Sequence, residues 1–391
     1  MASANSMQQQ PVSIYIHLPW CLHKCAYCDF NSHATAPNQF PEQLYTQQLI
    51  ADLTHAAALI DGRKVQSIFI GGGTPSLFSP QSIASILSAC AHVTQLQSNC
   101  EITLEANPGT FEYQKFAEFL SAGINRISVG AQSFNNDSLS ALGRIHDATE
   151  AINALETAHK IGFKNINVDL MFGLPNQSIG DALNDIQTAC HQHVNHISYY
   201  QLTLEPNTVF HRYPPKLPSE DVSWDIQTNG MHVLDEANYQ RYEVSAYAQK
   251  DSQCLHNMNY WQYGDYLGIG AGAHSKITTD NGVLRHQRTR QPESYIQAVN
   301  HQSQVLQQHL VANDQLIFEF MLNNLRLVNG FTPTTFCTTT GLAWSQAEEQ
   351  INTQIELGLM ERNDTHYRAS QHGYQYLDEL TQRFLPDALC S

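Results

Sequence analysis

The segment from Cys21 to Cys28 reads C-L-H-K-C-A-Y-C, with three cysteines at spacings of four and three residues. It follows the β-branched run VSIYIHL (Val12 to Leu18), which predicts a strand. A structural zinc site has four protein ligands, whereas three thiolates can each hold one iron of a [4Fe-4S] cluster and leave the fourth iron for an exogenous ligand. The alternatives are a loop of reduced cysteines or a zinc site completed by a nearby histidine, namely His17, His23 or His33.

Composition limits the classes of function. The chain has 391 residues and a formal net charge of −16, which disfavours binding to phosphate backbones or anionic lipid, so nucleic acid is not an expected partner. The first residues lack a basic segment followed by a long apolar one, and no stretch approaches the ~20 apolar residues of a membrane span. Nine cysteines form no regular framework, which favours reduced thiols. We therefore expect a cytoplasmic protein.

Short apolar runs alternate with amphipathic stretches along the first half of the chain. Six runs predict strands: Val12 to Leu18, Gln66 to Gly73, Glu101 to Pro108, Arg126 to Ser133, Asn165 to Pro175 and His196 to Pro206. Five stretches between them predict helices: Glu42 to Leu59, Gln81 to Ala91, Tyr113 to Ala122, Asp147 to Ile161 and Ile179 to Cys190. Six consecutive βα units predict parallel strands, in a barrel or an open sheet.

Polar residues fall at or just beyond the carboxyl ends of these strands, where α/β proteins place ligands. They are Cys21, Gly71 to Thr74, Glu105, Gln132 and Asp169. The sequence therefore predicts one site assembled from five strand ends.

The second half of the chain has a different pattern. We expect a disordered N-terminus at 1–11, a barrel at 12–210, an extension at 211–315 and a C-terminal domain at 316–391. The sequence pattern of the extension predicts a helix at Asp221 to Ala237 and a strand at Gln240 to Ala248. A glycine-rich run follows at Gly264 to Ser275. The last segment has a winged-helix outline with a final helix at Gly373 to Phe384, and its acidity favours a packing module over a nucleic-acid reader.

The stretch YIHLPWCLHKCAYCDF resembles the signature of radical S-adenosylmethionine (SAM) proteins. The chain is also similar to the oxygen-independent coproporphyrinogen III oxidase branch through YIHLPWC, FIGGGTPS, LEANP, VGAQSF, LGRIH and DLMFGLP, which span most of residues 12–206. The resemblance implies an α/β fold, a partial (β/α)6 radical SAM barrel with a smaller C-terminal α+β, winged-helix-like domain. It implies a [4Fe-4S] cluster on Cys21, Cys25 and Cys28, with the amino and carboxylate groups of SAM on the fourth iron.

The same resemblance implies the SAM contacts. Gly72, Gly73 and Thr74 would approach the methionine part, Tyr15 would pack beside the cluster, and Tyr27 would lie near the adenine. The family's SAM-contacting positions correspond to Glu105, Gln132, Arg144 and Asp169. The acids would face the ammonium or the ribose hydroxyls of SAM, and Arg144 would face its carboxylate. Reductive cleavage of SAM in this family gives methionine and a 5'-deoxyadenosyl radical.

Two departures concern the subfamily. The decarboxylating enzymes carry a further cysteine where this chain has Phe30, and they have a long arm before the first strand, whereas about a dozen residues precede Val12 here. Both differences argue against the oxidase activity. The stretch HNMNYW, which begins at His256, and YLGIGAGAHS instead resemble the HemW family of haem chaperones.

That resemblance implies haem as cargo, haem-accepting respiratory proteins as recipients and bacterioferritin as a donor. Such a chaperone needs a haem ligand outside the cysteine triplet, and a replaceable bond from the neutral imidazole of His256 suits transfer better than one from the thiolate of Cys254. The resemblance leaves a homodimer and association with the inner face of the membrane as open expectations. An aromatic packing corner around a hydrogen-bonded histidine is the simpler interpretation of HNMNYW. Two other functions also stay open: a radical SAM oxidoreductase acting on a tetrapyrrole, and a cluster protein without SAM chemistry.

Overall fold

The computed structural model describes residues 10–36, 39–60, 62–110 and 112–386. The N-terminal segment 1–11 is predicted to be disordered, and its first nine residues lie outside these ranges, as does Cys390. Gln10 is the first described residue, and its carbonyl accepts a hydrogen bond from Arg63 Nε at 2.9 Å.

A twelve-stranded sheet is the centre of the molecule. Its strands are β1 (Val12–Leu18), β4 (Lys64–Gly72), β5 (Gln95–Ala106), β6 (Arg126–Gln132), β7 (Asn165–Phe172), β8 (His196–Gln201), β9 (Gln240–Glu243), β10 (Ala246–Ala248), β11 (Asp265–Ile269), β12 (His274–Thr279), β13 (Gly282–Arg288) and β14 (Val305–Leu310). The order is β14-β13-β12-β11-β1-β4-β5-β6-β7-β8-β10-β9. The strands from β11 through β8 run parallel, and the flanking strands are antiparallel.

Short pairs complete the strands: β2 (Trp20–Cys21) with β3 (His33–Ala34), and β15 (Met360–Asn363) with β16 (His366–Ala369). The α-helices are Glu42–Ala56, Pro80–Val93, Tyr113–Ala122, Asn136–Leu142, Ala148–Ile161, Ile179–His191, Val209–Arg212, Glu220–Glu236, Leu255–Trp261, Pro292–Asn300, Asn313–Asn324, Pro333–Thr340, Glu348–Glu356, Gln371–Gln375 and Leu377–Gln382. None of the helices in the described ranges is long and apolar enough to span a bilayer.

The parallel strands carry almost continuous buried apolar side chains because helices cover the outside of the sheet. Local chemistry sets the helix starts. The helix Ala148–Ile161 begins with a reciprocal capping box between Asp147 and Glu150. The predicted α/β fold and all six predicted strands are confirmed.

Three predicted elements differ from the structure. The glycine-rich run contains a seventh parallel strand, β11, in which Gly268 packs so tightly that a Cβ atom there would lie 1.9 Å from the carbonyl oxygen of His274. The predicted strand at Gln240 to Ala248 is two strands, β9 and β10. The predicted last helix is two short helices, because the backbone at Tyr376 leaves the helical region (φ −119°, ψ 44°).

The molecule has two large hydrophobic cores. The first joins the barrel to part of the extension, for example through Leu267 and Tyr295. The second is built by the C-terminal helices and the β15–β16 hairpin, and it also includes Tyr263 and Val283 from the extension. The extension therefore contributes to both cores.

Candidate functional site

The three cysteines lie on the loop that follows β1. Pairing of β2 with β3 closes this loop, and the backbone N–H of Cys28 donates to the carbonyl of Cys25 at 3.1 Å. Cys21 is buried, whereas Cys25 and Cys28 are half-buried. In the part of the chain that the structure describes, no three His, Cys, Asp or Glu side chains are arranged to hold a single metal ion. The three thiols instead border one cavity.

This cavity, called the cluster cavity below, has a volume of about 290 Å³. Its wall combines the cysteine loop with the carboxyl ends of β4, β5 and β6 and the inner face of β7. The predicted site residues that line it are Cys21, Tyr27, Cys25, Cys28, Gly72, Gly73, Thr74, Glu105, Gln132, Arg144 and Asp169. The fold thus brings these residues together around one space.

Glycines allow the end of β4 to lie against the cysteine loop. Gly72 has φ +121°, and a Cβ atom there would lie 2.7 Å from the His17 ring. A Cβ atom on Gly73 would lie 2.4 Å from the carbonyl oxygen of Trp20. The N–H of Thr74 donates to that same carbonyl at 2.7 Å. Only glycine, which has no side chain, fits where the end of β4 comes this close to the cysteine loop.

Two half-buried carboxyl groups face the cluster cavity. Glu105 accepts the backbone N–H of Gly72 at 3.1 Å, and Asp169 accepts hydrogen bonds from Ser128 at 3.2 Å and Asn167 at 2.8 Å. Burial, followed by the charge of Asp169, raises the pKa of Glu105 to about 7. Burial also raises the pKa of Asp169. Asp169 lies inside β7 and not beyond its end.

Gln132 and Arg144 complete this wall. Gln132 has φ +70°, which interrupts the register between β6 and β7, and its Oε1 accepts the Tyr200 hydroxyl at 2.7 Å. Arg144 donates to Asn107 Oδ1 and to the Gly130 carbonyl, both at 2.7 Å, and its Nη1 lies 3.7 Å from Cys25 Sγ. Its buried Nε makes no hydrogen bond within the described residues. The guanidinium is therefore fixed beside the cysteine loop with a donor unused.

Tyr15 and His256 do not join the cysteines. They line a second cavity of about 1170 Å³, called the large cavity below. The two cavities share lining residues that include Gly72, Glu105 and Asp169, so they lie side by side. Aromatic and cationic side chains line the large cavity, among them Tyr15, Phe69, Arg126, His256, Tyr260 and Trp261.

His256 is held from two directions. Glu101 accepts the backbone N–H groups of Leu255 at 3.2 Å and His256 at 3.1 Å, at the amino end of the helix Leu255–Trp261. The ring Nδ1 lies 3.2 Å from Ser67 Oγ, which donates its proton to Ser13 Oγ at 2.7 Å. Because a hydroxyl has one proton, Nδ1 must donate, and Nε2 keeps its lone pair. Burial, followed by the charge of Arg126, lowers the pKa of His256 to about 3, so the imidazole is neutral.

Aromatic rings surround this imidazole. The Phe69 centroid lies 5.1 Å from the His256 ring, and Tyr15 lies 6.3 Å away. Tyr260 and Trp261 pack edge to face at 4.9 Å, and Trp261 Nε1 is buried without a hydrogen-bond partner among the described residues. The HNMNYW motif lies within the helix Leu255–Trp261, so Tyr260 and Trp261 follow His256 by about one helical turn.

The comparisons with known proteins agree with this geometry. The model of the Radical SAM superfamily matches residues 15–189, and the model of the HemN C-terminal domain matches residues 311–376. The heme chaperone HemW of Haemophilus influenzae is 46% identical over 382 residues, which cover 96% of this chain and 98% of that protein. The heme chaperone HemW of Escherichia coli is 43% identical over 378 residues, covering 96% and 99%. The chain belongs to the HemW family.

A solved structure extends the comparison to the fold. Coproporphyrinogen III oxidase (HemN) from Escherichia coli, a radical SAM enzyme, superposes with a TM-score of 0.81 at 22% identity, covering 98% of this chain and 92% of that one. At this identity the likeness shows that the HemW-family chain has the radical SAM fold, and no more.

Sequence reasoning missed several residues that build the large cavity of this HemW-family protein. Glu101 holds the helix of His256. Arg126 is buried and lines the cavity, and its side-chain Nε has no hydrogen-bond partner among the described residues. A signal for Glu101 was present, because Glu101 and Glu105 are an even number of residues apart in one strand and so share its inner face. No comparable signal marked Arg126, which stands alone at the start of β6.

Proposed function

We propose that this HemW-family protein is a haem chaperone that holds a [4Fe-4S] cluster and SAM in the cluster cavity and carries haem in the large cavity. The observation that carries the proposal is His256, a neutral imidazole with Nε2 free to bind iron, in an aromatic-lined cavity beside a loop of three cysteines. From the cytoplasm, the protein would pass haem to haem-dependent respiratory proteins of the membrane, with bacterioferritin as one source. The family name of its relatives supports the haem-carrying role.

The cysteine loop suits an iron-sulfur cluster. A cubane takes one thiolate per iron, so its ligands need not converge on a single ion. Cys21, Cys25 and Cys28 border one cavity from a single loop, and Arg144 beside Cys25 offsets part of the negative charge of the thiolates. When bound, the cluster and SAM supply one-electron chemistry at the sulfonium of SAM.

The charges of the cluster cavity match the groups of SAM. Glu105, next to the glycine-rich end of β4, would accept from the ammonium, and Arg144, which lines the cluster cavity beside Cys25, would face the carboxylate. Gln132 and Asp169 would face the ribose hydroxyls, with Tyr27 near the adenine. Tyr15 belongs to the haem side in this arrangement.

The large cavity provides both parts of a haem site. Phe69, Tyr260 and Trp261 offer flat apolar faces to a porphyrin, and imidazole is a common axial ligand of haem iron. The proton on Nδ1 of His256 is fixed by Ser67, which orients the ring as a carbonyl or carboxylate does in other metal sites. A neutral ligand also forms a bond that a recipient can replace more readily than a thiolate bond.

The test is haem titration of the wild type, His256→Ala and Cys254→Ala, followed by optical spectra. We expect His256→Ala to lose about tenfold or more in haem affinity, since it removes the iron bond, while cluster iron and SAM binding stay unchanged. Cys254→Ala is the matched control, because Cys254 is buried two residues away and its thiol contacts Glu101 at 3.5 Å. A loss confined to the cysteine variant would contradict the histidine assignment.

The cluster part is tested separately. Replacing Cys21, Cys25 and Cys28 together by Ala should remove iron and sulfide from the reconstituted protein and leave haem binding on His256. A triple variant that still holds four irons per chain, a count taken from the cluster formula, would show that the assignment is wrong.

A second function, radical chemistry on a tetrapyrrole, is favoured by the shared wall of the two cavities. Glu105 and Asp169 face both spaces, so a ring in the large cavity would lie next to SAM. An anaerobic assay with coproporphyrinogen III distinguishes the functions. Conversion in multiple turnovers would replace the chaperone proposal, whereas haem binding without turnover supports it.

A further inference from the structure

One wall of the large cavity is a polar face of the antiparallel strands β12, β13 and β14. Arg285 on β13 lies opposite His309 on β14, and Gln287 lies opposite His274 on β12 and Gln307 on β14. Directly opposed residues project to the same face of a sheet, and every second residue along a strand shares that face. All five side chains line the large cavity. We call this surface, together with Arg290 just after β13, the β13 wall.

The β13 wall carries two arginines, and Arg285 is the one that has an acidic partner. Arg285 forms an ion pair with Glu319 through Nε at 3.2 Å and donates to the Tyr266 hydroxyl at 3.0 Å. Glu319, which also accepts the Tyr263 hydroxyl at 2.6 Å, offsets the charge of Arg285. The Arg285 guanidinium is therefore held in place while it faces the cavity.

Arg290 differs because its guanidinium has no partner among the described residues. It is exposed, and it makes no side-chain hydrogen bond or ion pair with any other described residue. Its carbonyl accepts Asn31 Nδ2 at 2.9 Å, which fixes its backbone at the cavity rim. Burial, followed by the charges of Arg285 and Arg290, lowers the pKa of His274, so the three side chains are close to one another. The rim thus presents an unpaired cation on a backbone that Asn31 holds.

Charge is distributed unevenly around the large cavity. The carboxyl groups of Glu105 and Asp169 lie where it meets the cluster cavity, and the exposed Asp29 also lines it. On the other side, Glu319 offsets the charge of Arg285, and Arg290 on the β13 wall adds a cation that no described acid pairs. An amphiphilic ring with carboxylate substituents would be repelled at the first side and attracted at the second.

We propose that the β13 wall binds the propionate carboxylates of haem, with Arg290 as the direct ionic partner and Arg285, His274 and His309 as supporting donors. This inference rests on the proposed haem-carrying function and adds the groups that set the orientation of the ring. Arginine suits this role because its planar fork donates two parallel hydrogen bonds to one carboxylate. The iron would face His256, and the propionates would lie at the solvent-exposed rim.

The experiment separates recognition of iron from recognition of carboxylates. The full-length protein is titrated with three probes: haem, iron-free protoporphyrin IX, and haem dimethyl ester, in which both propionates are blocked. The variants are Arg290→Gln, His256→Ala and, as a matched control, Arg383→Gln, an exposed arginine that lines neither cavity.

We expect Arg290→Gln to weaken haem and protoporphyrin IX binding by about tenfold and to leave dimethyl ester binding unchanged, because the lost bond is to a carboxylate. His256→Ala should weaken haem and the dimethyl ester but not protoporphyrin IX. Arg383→Gln should match the wild type with all three probes.

Two results would overturn the inference. One is a wild type that binds the dimethyl ester as tightly as haem, and the other is an Arg290→Gln variant that binds haem with unchanged affinity. If His256→Ala retains haem while Arg290→Gln loses it, the iron ligand of the proposed function is wrong and carboxylate recognition stands. A wild type that binds none of the three probes removes the proposed function and, with it, this inference.

Discussion

At the scale of single residues, Glu105 connects burial to ligand binding. It is enclosed between the end of β4 and Asp169, and its pKa of about 7 follows from removal of the carboxyl group from water, with the Asp169 charge as a smaller cause. Near neutral pH the free protein therefore holds a mixture of protonated and ionised Glu105. A cationic ligand such as the SAM ammonium selects the ionised form, so binding releases a proton.

We predict that SAM affinity rises with pH up to about 7 and then levels off. Below the pKa the ionised fraction of Glu105 falls about tenfold per pH unit, so the affinity should fall by up to that factor. Calorimetric titration of the reconstituted protein with SAM between about pH 5.5 and 8.5 measures the profile.

Glu105→Gln is the matched variant, because the amide keeps the shape and cannot ionise. It should bind SAM more weakly at pH 8, by about 1 to 3 kcal/mol, with a flatter profile. An unchanged pH profile in this variant would show that another group is responsible.

The site was predictable where its residues belong to contiguous motifs. The cysteine triplet, the glycines at 72 and 73 and Glu105 occur beside recognisable strand ends, and the structure places them around one cavity. Arg126, Ser67 and the β13 wall were not predictable in this way. Arg285 acquires its role through strand pairing with β12 and β14, a relation between distant segments that no local pattern encodes.

At the scale of elements, a buried acid attaches the extension to the barrel. Asp52, on the helix Glu42–Ala56, accepts from Arg288 Nε at 2.7 Å and Nη2 at 3.1 Å. It also accepts from Tyr295 at 2.7 Å and Gln304 at 3.1 Å. Both members of the ion pair are almost inaccessible to water, which makes the loss of one partner costly.

We predict that Asp52→Asn lowers the free energy of unfolding by about 3 to 5 kcal/mol, because it leaves the Arg288 charge buried without its counter-ion. Urea unfolding measures the change. The control is Glu156→Gln, in the exposed pair with Lys160 one helical turn away, which should cost less than about 0.5 kcal/mol. Equal effects of the two substitutions would contradict the role of burial.

The elements themselves show what sequence patterns determine. The helix Tyr113–Ala122 and strand β1 were predicted with the bounds that the structure has, because β-branched runs and helical periodicity are local signals. Strand β11 was missed since four glycines fall between Gly264 and Gly272, a composition typical of a loop. Its packing against His274 requires the glycine at 268, and only the tertiary structure shows that close approach.

At the scale of the whole molecule, the C-terminal domain is packed against the strands that carry the β13 wall. Tyr263 and Val283 belong to the extension but are buried in the C-terminal core, at 1% and 0% exposure. Glu319, on the helix Asn313–Asn324, pairs with Arg285, and Lys276 donates to the Thr339 carbonyl at 3.4 Å. The β13 wall therefore depends on a domain that follows it in the chain, since Glu319 comes 34 residues after Arg285.

We predict that a chain ending at residue 312 loses solubility and thermal stability together. Truncation would expose Tyr263 and Val283 to water, at about 1.5 to 3 kcal/mol for each such side chain, and would leave Arg285 without its acid. Size-exclusion chromatography and thermal unfolding measure the outcome. Glu319→Gln in the full chain is the control, because it removes the ion pair and keeps the apolar contact, so it should remain monodisperse. A truncated chain that is monodisperse with the melting temperature of the full protein would mean that the barrel and extension fold independently of the second core.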